Sequence, residues 1–347
     1  MKASRPCHRG LAAWSIALCL AATLLAPACS AGSGTSPAPA GAAQPAQQHA
    51  LPAFDADTAL ALAARQMEFG PRVPGTAAHE ACRAWMTERL RAYGAEVREQ
   101  QATVTAYDGT RLEATNVMAS YRPEARERVL LVAHWDSRHM ADEDPRPERR
   151  QEGVPAANDG ASGVAVLMEL ARTAGRCMAD STMPAPRMGI DILLVDAEDY
   201  GAPDTWMGRH REEDWALGTQ AWARQAHAEG YAASYGILLD MVGAPDATFY
   251  REYYSDRFAP QVVDMVWSTA QQMGYGTLFV NEEGPAITDD HVFVSRLARI
   301  PTIDIIDTRQ HEGRAFYPYW HTTDDTIDKL SAETLGRVGR VLVALLW

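Results

Sequence analysis

Short, largely apolar runs that suit buried strands alternate along this chain with longer segments whose apolar residues recur at helical spacing. The strand-like runs are residues 95–106, 112–120, 129–133, 190–195, 235–239 and 300–306. The helical segments are residues 57–68, 78–93, 162–174, 215–229, 259–273 and 331–346. A strand that is apolar on both faces needs helices on both sides of its sheet. The sequence therefore predicts an α/β fold, a single domain with a central mixed, mostly parallel β-sheet flanked by helices.

The first 29 residues form a separate segment with the pattern of an export signal. Lys2, Arg5 and Arg9 precede an apolar stretch over residues 11–25, and a small residue stands directly before Cys29. Residues 1–29 are therefore predicted to be a signal peptide of the lipoprotein type, in which the cysteine is lipidated, with cleavage by an ordinary signal peptidase as the alternative. The apolar stretch is shorter than the ~20 residues that a membrane-spanning helix needs.

A linker and one folded domain are predicted after this signal. Residues 30–55 are rich in Ala, Pro, Gly, Ser and Gln, a composition that predicts a flexible linker. Residues 56–347 are predicted to form the folded domain. The protein is therefore expected outside the cytoplasm, as a periplasmic or membrane-anchored lipoprotein or as a secreted protein. The lipid anchor is the one contact with a membrane that the sequence predicts.

Charge and cysteine content exclude two classes of site. The chain has 32 Lys and Arg residues against 45 Asp and Glu residues, so an attraction to phosphate backbones is not expected and nucleic acid is excluded as a partner. Cys82 and Cys177 are the cysteines that follow the predicted signal peptide, and they are not spaced as a zinc-binding pair. An oxidising compartment permits a disulfide between them, and the sequence leaves that pairing open.

Polar side chains gather where the predicted strands end, which is the edge at which α/β sheets bind ligands. His134 and Asp136 follow the strand at 129–133, Glu198 and Asp199 follow the next strand, and Asp240 follows the strand at 235–239. Carboxylates that converge on one edge repel each other and are costly to bury, and a divalent cation removes that cost. Mixed histidine and carboxylate ligands without thiolates suit Zn²⁺ in an open, catalytic site. Further polar groups in later segments are Asn158-Asp159, Asp289-Asp290-His291 and Trp320-His321-Thr322.

Each candidate has an ordinary structural explanation when it is taken alone. His134 could be a hydrogen-bonded histidine near the surface, Asp159 could be a turn residue before Gly160, and Asp240 could cap a strand end. The pairs Glu198-Asp199 and His321-Thr322 could be solvated loop residues. Their joint occurrence at successive strand ends favours one shared site over separate structural roles.

The order of these motifs resembles that of the zinc aminopeptidase clan of the M28 type, over roughly residues 60–345. The matching motifs are His134-x-Asp136, Asn158-Asp159-Gly160-x-Ser162-Gly163, Glu198-Asp199, Leu239-Asp240, Asp290-His291 and His321-Thr322-x-x-Asp325-Thr326. The resemblance implies that residues 56–347 are a zinc-dependent catalytic domain. Two activities of the clan compete, a peptidase that usually holds two zinc ions and a glutaminyl-peptide cyclotransferase with one working zinc ion.

Three features resemble the bacterial cyclotransferases more than the peptidases. They are an aromatic residue directly before the ligand-type histidine, a second aromatic residue upstream, and an extra acidic residue in the Asp-His motif, namely Trp320, Phe316 and Asp289. His134 and Asp240 retain the identities that could hold a second zinc ion. The resemblance therefore favours the conversion of N-terminal glutamine of peptides or proteins to pyroglutamate, with release of ammonia. An M28-type zinc aminopeptidase that hydrolyses N-terminal residues is the alternative.

The resemblance also implies which residues bind the cofactor. Asp159, Asp199 and His321 would bind one Zn²⁺. His134 would either bind a second metal ion or lie behind the ligands of the first. One working zinc ion is expected, and the presence of a second ion is left open.

The remaining candidates are implied to act on the substrate, a peptide or protein with an N-terminal glutamine. Glu198 would be the catalytic residue that moves protons. Asp289 and Asp240 would be catalytic residues that hydrogen-bond to each other and position the glutamine amide. The residues implied to bind the substrate are Trp320, Phe316 and Trp206.

Overall fold

Helices and strands alternate along the computed structural model, which describes residues 50–309, 312–313 and 315–347. The predicted signal peptide at 1–29 and residues 30–49 of the predicted linker lie outside the described residues. The helices are α1 (Ala56–Met67), α2 (Ala77–Ala92), α3 (Ala161–Ala179), α4 (Leu217–Ala228), α5 (Tyr253–Phe258), α6 (Pro260–Gln272), α7 (Asp290–Phe293) and α8 (Ala332–Leu346). The strands are β1 (Glu96–Thr105), β2 (Arg111–Tyr121), β3 (Arg128–His134), β4 (Gly189–Val195), β5 (Tyr235–Asp240), β6 (Phe249–Arg251), β7 (Phe279–Glu283) and β8 (Thr302–Ile306).

Six strands form the central sheet in the order β1-β2-β4-β3-β5-β8. The hairpin of β1 and β2 is antiparallel and β2 pairs antiparallel with β4, whereas β4, β3, β5 and β8 are mutually parallel. The predicted α/β fold with a mixed, mostly parallel sheet is thereby confirmed. The short strands β6 and β7 form a separate parallel pair that the sequence analysis did not predict.

The two faces of the sheet pack against different helices. Along β3, Leu131 belongs to the larger core, which includes side chains of α1, α3, α6 and α8, whereas Leu130 and Val132 belong to a smaller core with Trp222 of α4. This alternation follows from the two-residue repeat of a strand, and it explains why β3 and β4 are buried along their whole length.

Side-chain caps fix where several helices begin. Asp55 accepts a hydrogen bond from the amide of Thr58 at the start of α1, and Ser331 accepts one from the amide of Thr334 at the start of α8. Phe54 is also buried, and its ring lies against Gly339 of α8. The end of the predicted linker is therefore packed onto the folded domain.

Cys82 and Cys177 are both free thiols, and both are buried in the larger core. Among the described residues, no helix combines the length and the apolar character that crossing a bilayer requires.

Candidate active site

The carboxyl ends of β4, β3, β5 and β8 meet at one edge of the sheet. His134 at the end of β3 pairs with Val195 of β4, and Asp240 at the end of β5 pairs with Ile306 of β8. Residues that follow these positions therefore leave the sheet side by side. The predicted site residues collect at this edge.

Asp159, Asp199 and His321 come together although they lie in three separate loops. Each offers a donor atom, and the three atoms lie within 4.8 Å of one another. The Nε2 atom of His321 is 3.1 Å from Oδ1 of Asp199 and 3.7 Å from Oδ2 of Asp159. All three side chains are buried. The convergence on which the predicted metal site depends is therefore present.

The donor atoms of this triad fit a zinc ion. The Oδ2 atoms of Asp159 and Asp199 are buried and accept no hydrogen bond from any described residue. Buried carboxylate oxygens without a partner are costly, and a cation between them and an imidazole nitrogen removes that cost. The set of one nitrogen and two oxygens, with no thiolate, is typical of a zinc site that keeps a position open. Zinc binding by this triad stays a prediction.

A second triad shares Asp159 with the first. The Nε2 atom of His134 is 3.0 Å from Oδ1 of Asp159 and 3.3 Å from Oδ1 of Asp240. Although burial lowers it, the neighbouring carboxyl groups of Asp136, Asp159 and Asp240 raise the pKa of His134 well above its usual value. Each oxygen of Asp159 thus serves one triad, and a proton on His134 can occupy the place that a second cation would take.

Two buried aspartates hold the backbone of the candidate ligands in place. Asp136 accepts hydrogen bonds from the amides of Glu198 and Asp199, both at 3.1 Å. Asp325 accepts one from the amide of Asp159 at 3.0 Å. Both aspartates belong to motifs singled out in the sequence, and the structure gives them a positioning role that the motifs did not reveal.

Glu198 is buried next to other carboxyl groups. Burial raises the pKa of Glu198 well above its usual value, and the charge of Asp289 raises it further. Asp304 of β8, which the sequence analysis missed, lies beside Asp289, and burial together with Asp289 raises the pKa of Asp304. Buried carboxyl groups whose pKa values are raised in this way are candidates for general acids and bases.

The predicted hydrogen bond between Asp289 and Asp240 is replaced by other contacts. Asp240 lies against His134, and burial raises the pKa of Asp240 to about 7. Asp289 caps α7, where its Oδ1 accepts a hydrogen bond from the amide of Asp290, and its carboxyl group approaches Asp304. The difference arises because Asp240 ends β5 next to His134 of the neighbouring strand β3, whereas Asp289 caps α7.

Comparisons with known proteins agree with this arrangement. The model of Peptidase family M28 matches residues 116–346, about two thirds of the chain. The chain belongs to Peptidase family M28.

Solved structures similar to this M28 chain carry two kinds of name. A glutaminyl cyclase from Bacteroides thetaiotaomicron, solved with N-acetylhistamine bound, is 46% identical, with 85% of this chain and 98% of that chain covered and a TM-score of 0.81. A Zn-dependent exopeptidase from Parabacteroides distasonis is 47% identical, with 85% and 99% covered and a TM-score of 0.81. A glutaminyl-peptide cyclotransferase from Drosophila melanogaster is 23% identical over an alignment of 293 residues, which covers 78% of this chain and 75% of that protein.

Aromatic side chains lie next to the candidate metal ligands of this M28 site. The ring of Trp320 stacks on that of His321 with centroids 3.6 Å apart, and Phe316 lies 4.7 Å from Trp320. Both are partly exposed, which leaves surface for a substrate. Trp206 is also partly exposed and packs edge-on against Tyr107 at 5.0 Å. Substrate binding by the three predicted aromatic residues stays a prediction.

A buried ion pair that the sequence did not predict lies behind the candidate ligands. Arg138 donates hydrogen bonds to both oxygens of Asp142 at 2.6 and 2.8 Å, and one to Oδ1 of Asp199 at 3.3 Å. The Nδ1 atom of His321 lies 3.4 Å from Oδ1 of Asp142. The signal available in the sequence was the spacing of Arg138 and Asp142, which is also that of many surface ion pairs.

Proposed function

We propose that this protein is a zinc-dependent glutaminyl-peptide cyclotransferase, which converts the N-terminal glutamine of peptides or proteins to pyroglutamate and releases ammonia. The observation that carries the proposal is the position of the buried carboxyl group of Glu198, directly before Asp199 of the triad formed with Asp159 and His321. The charge of a second buried carboxyl group, Asp289, helps to raise the pKa of Glu198. Similarity to solved bacterial glutaminyl cyclases over almost their whole length supports it.

The reaction requires one proton to change places. The α-amine of the substrate loses a proton as it attacks the carbon of its own side-chain amide, and the amide nitrogen must gain a proton to leave as ammonia. Glu198, which is buried and has a raised pKa, is suited to take the first proton and deliver the second. Nucleophile and electrophile belong to one residue, so correct placement supplies much of the rate enhancement.

The neighbouring carboxyl groups keep the base in its working state. Because buried carboxyl groups at close range cannot all be ionised, Asp289 and Asp304 are expected to share protons. A protonated Asp289 can donate a hydrogen bond to the substrate amide, while Asp240 stays with His134. A Zn²⁺ ion held by Asp159, Asp199 and His321 would supply Lewis-acid polarisation of the side-chain carbonyl.

Trp320 and Phe316 are proposed to form the wall of the glutamine pocket. Their rings are in contact and partly exposed, and Trp320 covers one face of the His321 ring. Apolar walls exclude water from the reacting amide, and the indole N–H can donate a hydrogen bond to the substrate. Trp206 is proposed to contact the peptide further from its N-terminus.

A zinc aminopeptidase is the second candidate. It is favoured by the triad of His134, Asp159 and Asp240, whose donor atoms are as close together as those of the first triad. It is also favoured by the similarity to a Zn-dependent exopeptidase and to a leucine aminopeptidase precursor. This activity would need two ions, and it would release free amino acids.

Two substrates separate the candidates. The purified protein is incubated with a peptide that begins with Gln and with a peptide that begins with Leu, with and without a chelator. The cyclotransferase releases ammonia from the first peptide alone, and the metal content required for full activity is one zinc ion per chain. Free leucine, with two zinc ions required, would replace this proposal by the peptidase.

Glu198→Gln tests the proton-transfer role. The variant keeps the shape of the side chain and cannot accept a proton, so the rate of cyclisation is expected to fall by roughly 10²- to 10⁴-fold with zinc content unchanged. Glu282→Gln, at an exposed position in β7, serves as the control and should retain full activity. Normal cyclisation by Glu198→Gln would remove this residue from the mechanism.

We also propose that the protein works outside the cytoplasm and is attached to the membrane by a lipid anchor at Cys29. The support is the sequence of residues 1–29 and the composition of residues 30–55. Cys29→Ala is expected to move the expressed protein from the membrane fraction to the soluble fraction of the same cells. A protein that is soluble with Cys29 intact would instead indicate simple secretion.

A further inference from the structure

Arg138 lies in a buried position between two of the candidate zinc ligands. Its side chain is 1% exposed. Nη1 is 3.2 Å from the backbone oxygen of Asp199, 3.3 Å from Oδ1 of the same residue and 3.4 Å from the backbone oxygen of Gly201. These contacts occupy Oδ1 of Asp199 and leave its Oδ2 without a partner among the described residues. Nε2 of His321 is 3.1 Å from the same Oδ1. Arg138 therefore holds the Asp199 carboxylate with Oδ1 beside His321.

Asp142 connects the same guanidinium to His321. It accepts hydrogen bonds from Nε and Nη2 of Arg138 at 2.6 and 2.8 Å. Its Oδ1 is 3.4 Å from Nδ1 of His321, whose Nε2 faces Asp199 and Asp159. A neutral imidazole that binds a metal through Nε2 carries its proton on Nδ1, and a carboxylate on that side fixes both the tautomer and the ring orientation.

We propose that Arg138 and Asp142 are a positioning pair that sets the affinity and geometry of the zinc site by orienting Asp199 and His321 together. The inference rests on the proposed zinc triad and adds to it the residues that tune it. The pair is neutral as a whole, so it contributes orientation without changing the net charge around the ion.

The shape of arginine is essential to this arrangement. A guanidinium presents its N–H groups as a rigid planar fork, and here two edges of that fork bind two different partners. The Cζ atom of Arg138 also lies 5.1 Å from the ring centroid of Trp215, which covers the guanidinium. Lysine would keep the charge, but its single nitrogen cannot hold Asp142 and Asp199 in fixed relative positions.

Metal binding in the absence of substrate tests the proposal. Zinc-free protein is titrated with Zn²⁺ against a chromophoric chelator to obtain the Kd, and with Co²⁺ to record the absorption spectrum that reports ligand geometry. In Arg138→Lys the Kd for Zn²⁺ is expected to rise by on the order of 10- to 100-fold, with an altered Co²⁺ spectrum. Asp142→Asn keeps the side-chain volume. It is also expected to raise the Kd for Zn²⁺ and to alter the Co²⁺ spectrum.

Arg128→Lys is the matched control for the loss of a buried arginine. Arg128 forms a bidentate ion pair with Asp191, but it lies at the opposite end of β3 from the site. The Arg128→Lys variant is expected to be less stable than the wild type, with the Kd for Zn²⁺ and the Co²⁺ spectrum unchanged.

The proposal would be overturned if Asp142→Asn, and Arg138→Lys where that variant folds, had the wild-type Kd for Zn²⁺ and the wild-type Co²⁺ spectrum. Equal weakening in Arg128→Lys would also overturn it, since that would indicate a general effect of stability. No assay of glutamine cyclisation enters the measurement. A wild-type protein that binds zinc but cyclises no glutamine would therefore refute the proposed function and leave the positioning pair intact.

Discussion

Unusual backbone conformations concentrate at the residues of the candidate site. Seven described non-glycine residues have positive φ, and four of them, Ala156, Ala197, Met241 and His321, with φ between 48° and 60°, lie at or next to the site. The other three are Arg122, Ala216 and Arg299. Ala197 directly precedes Glu198, and Met241 directly follows Asp240. Each such conformation costs on the order of 1 kcal/mol or more, and it persists where the surrounding contacts over-determine it. The polar groups of the site are therefore held in position at a cost to stability.

Gly160, between Asp159 and α3, offers a test at a single position. Its φ is +94°, and a Cβ atom there would lie 2.8 Å from Cε1 of His134. Gly160→Ala is expected to displace His134 and to reduce cyclisation at least tenfold. Gly109→Ala is the control, because Gly109 has a φ of +90° but no atom within 4 Å of the added Cβ. It shares the backbone cost of about 1 kcal/mol and should keep its activity. Equal activity in both variants would show that the contact with His134 does not matter.

The raised pKa of Asp307, which directly follows β8, predicts that the stability of the protein depends on pH. Burial raises this pKa from 3.8 to about 6, even though Arg309 opposes the shift. The folded state thus holds this proton more tightly than the unfolded state. The contribution of the proton to the free energy of unfolding is complete below about pH 4 and is lost as the pH rises through about 6. The loss is about 3 kcal/mol at most.

Asp307→Asn cannot ionise, and it therefore removes this dependence. Its free energy of unfolding relative to wild type is expected to increase between pH 4 and pH 6. Urea denaturation at a series of pH values measures the difference. A difference that stays constant over this range would contradict the raised pKa.

At the scale of elements, Arg72 joins the loops that carry the site. It is fully buried and donates hydrogen bonds to the backbone oxygens of Trp135, Pro155 and Ala156 at 2.7 to 2.9 Å. Arg72→Lys keeps the charge but cannot reach all three oxygens. We expect a loss of roughly 2–4 kcal/mol in the free energy of unfolding, measured with urea, because buried carbonyl groups are left unpaired. Arg176→Lys, on the exposed face of α3, should be neutral by comparison. A neutral Arg72→Lys would show that the loops do not depend on this residue.

The elements also show how far the sequence could predict the fold. The apolar runs that became β3, β4, β5 and β8 were placed to within two residues, because buried strands carry a strong compositional signal. The strands β6 and β7 were missed, since the three residues of Phe249–Arg251 are too few to show a period. Asp199 was found because it lies just after β4, at the edge of the sheet where ligands bind. Asp159 and His321 lie far along the chain from the end of any strand, and they were identified through the order of motifs that resembles the M28 clan.

Other residues of the site lacked such a signal. Arg138 and Asp142 lie in a long irregular segment between β3 and α3, where no period links a residue to its neighbours in space. Asp304 stands inside an apolar strand, and its contact with Asp289 depends on the packing of α7. These contacts are tertiary, and the sequence pattern does not encode them locally.

At the scale of the whole molecule, the core protects both thiols. Cys82 and Cys177 are 0% and 3% exposed, and burial raises the pKa of Cys82 to about 11. The sample is the native protein that lacks residues 1–29. Iodoacetamide at pH 8 is expected to leave both of its thiols unmodified. After unfolding without a reductant, mass spectrometry should find two adducts. A protein that gains adducts only after reduction would contain a disulfide in place of the free thiols.

The shared carboxylate of Asp159 bears on how related enzymes diverge in chemistry. One of its oxygens faces His321 and the other faces His134. A protonated His134 and a second cation are therefore rivals for the same place, and the choice between them does not require the replacement of any side chain. The side chains of a two-ion hydrolase can in this way all be retained in a protein that holds a hydrogen ion where the hydrolase would bind its second metal.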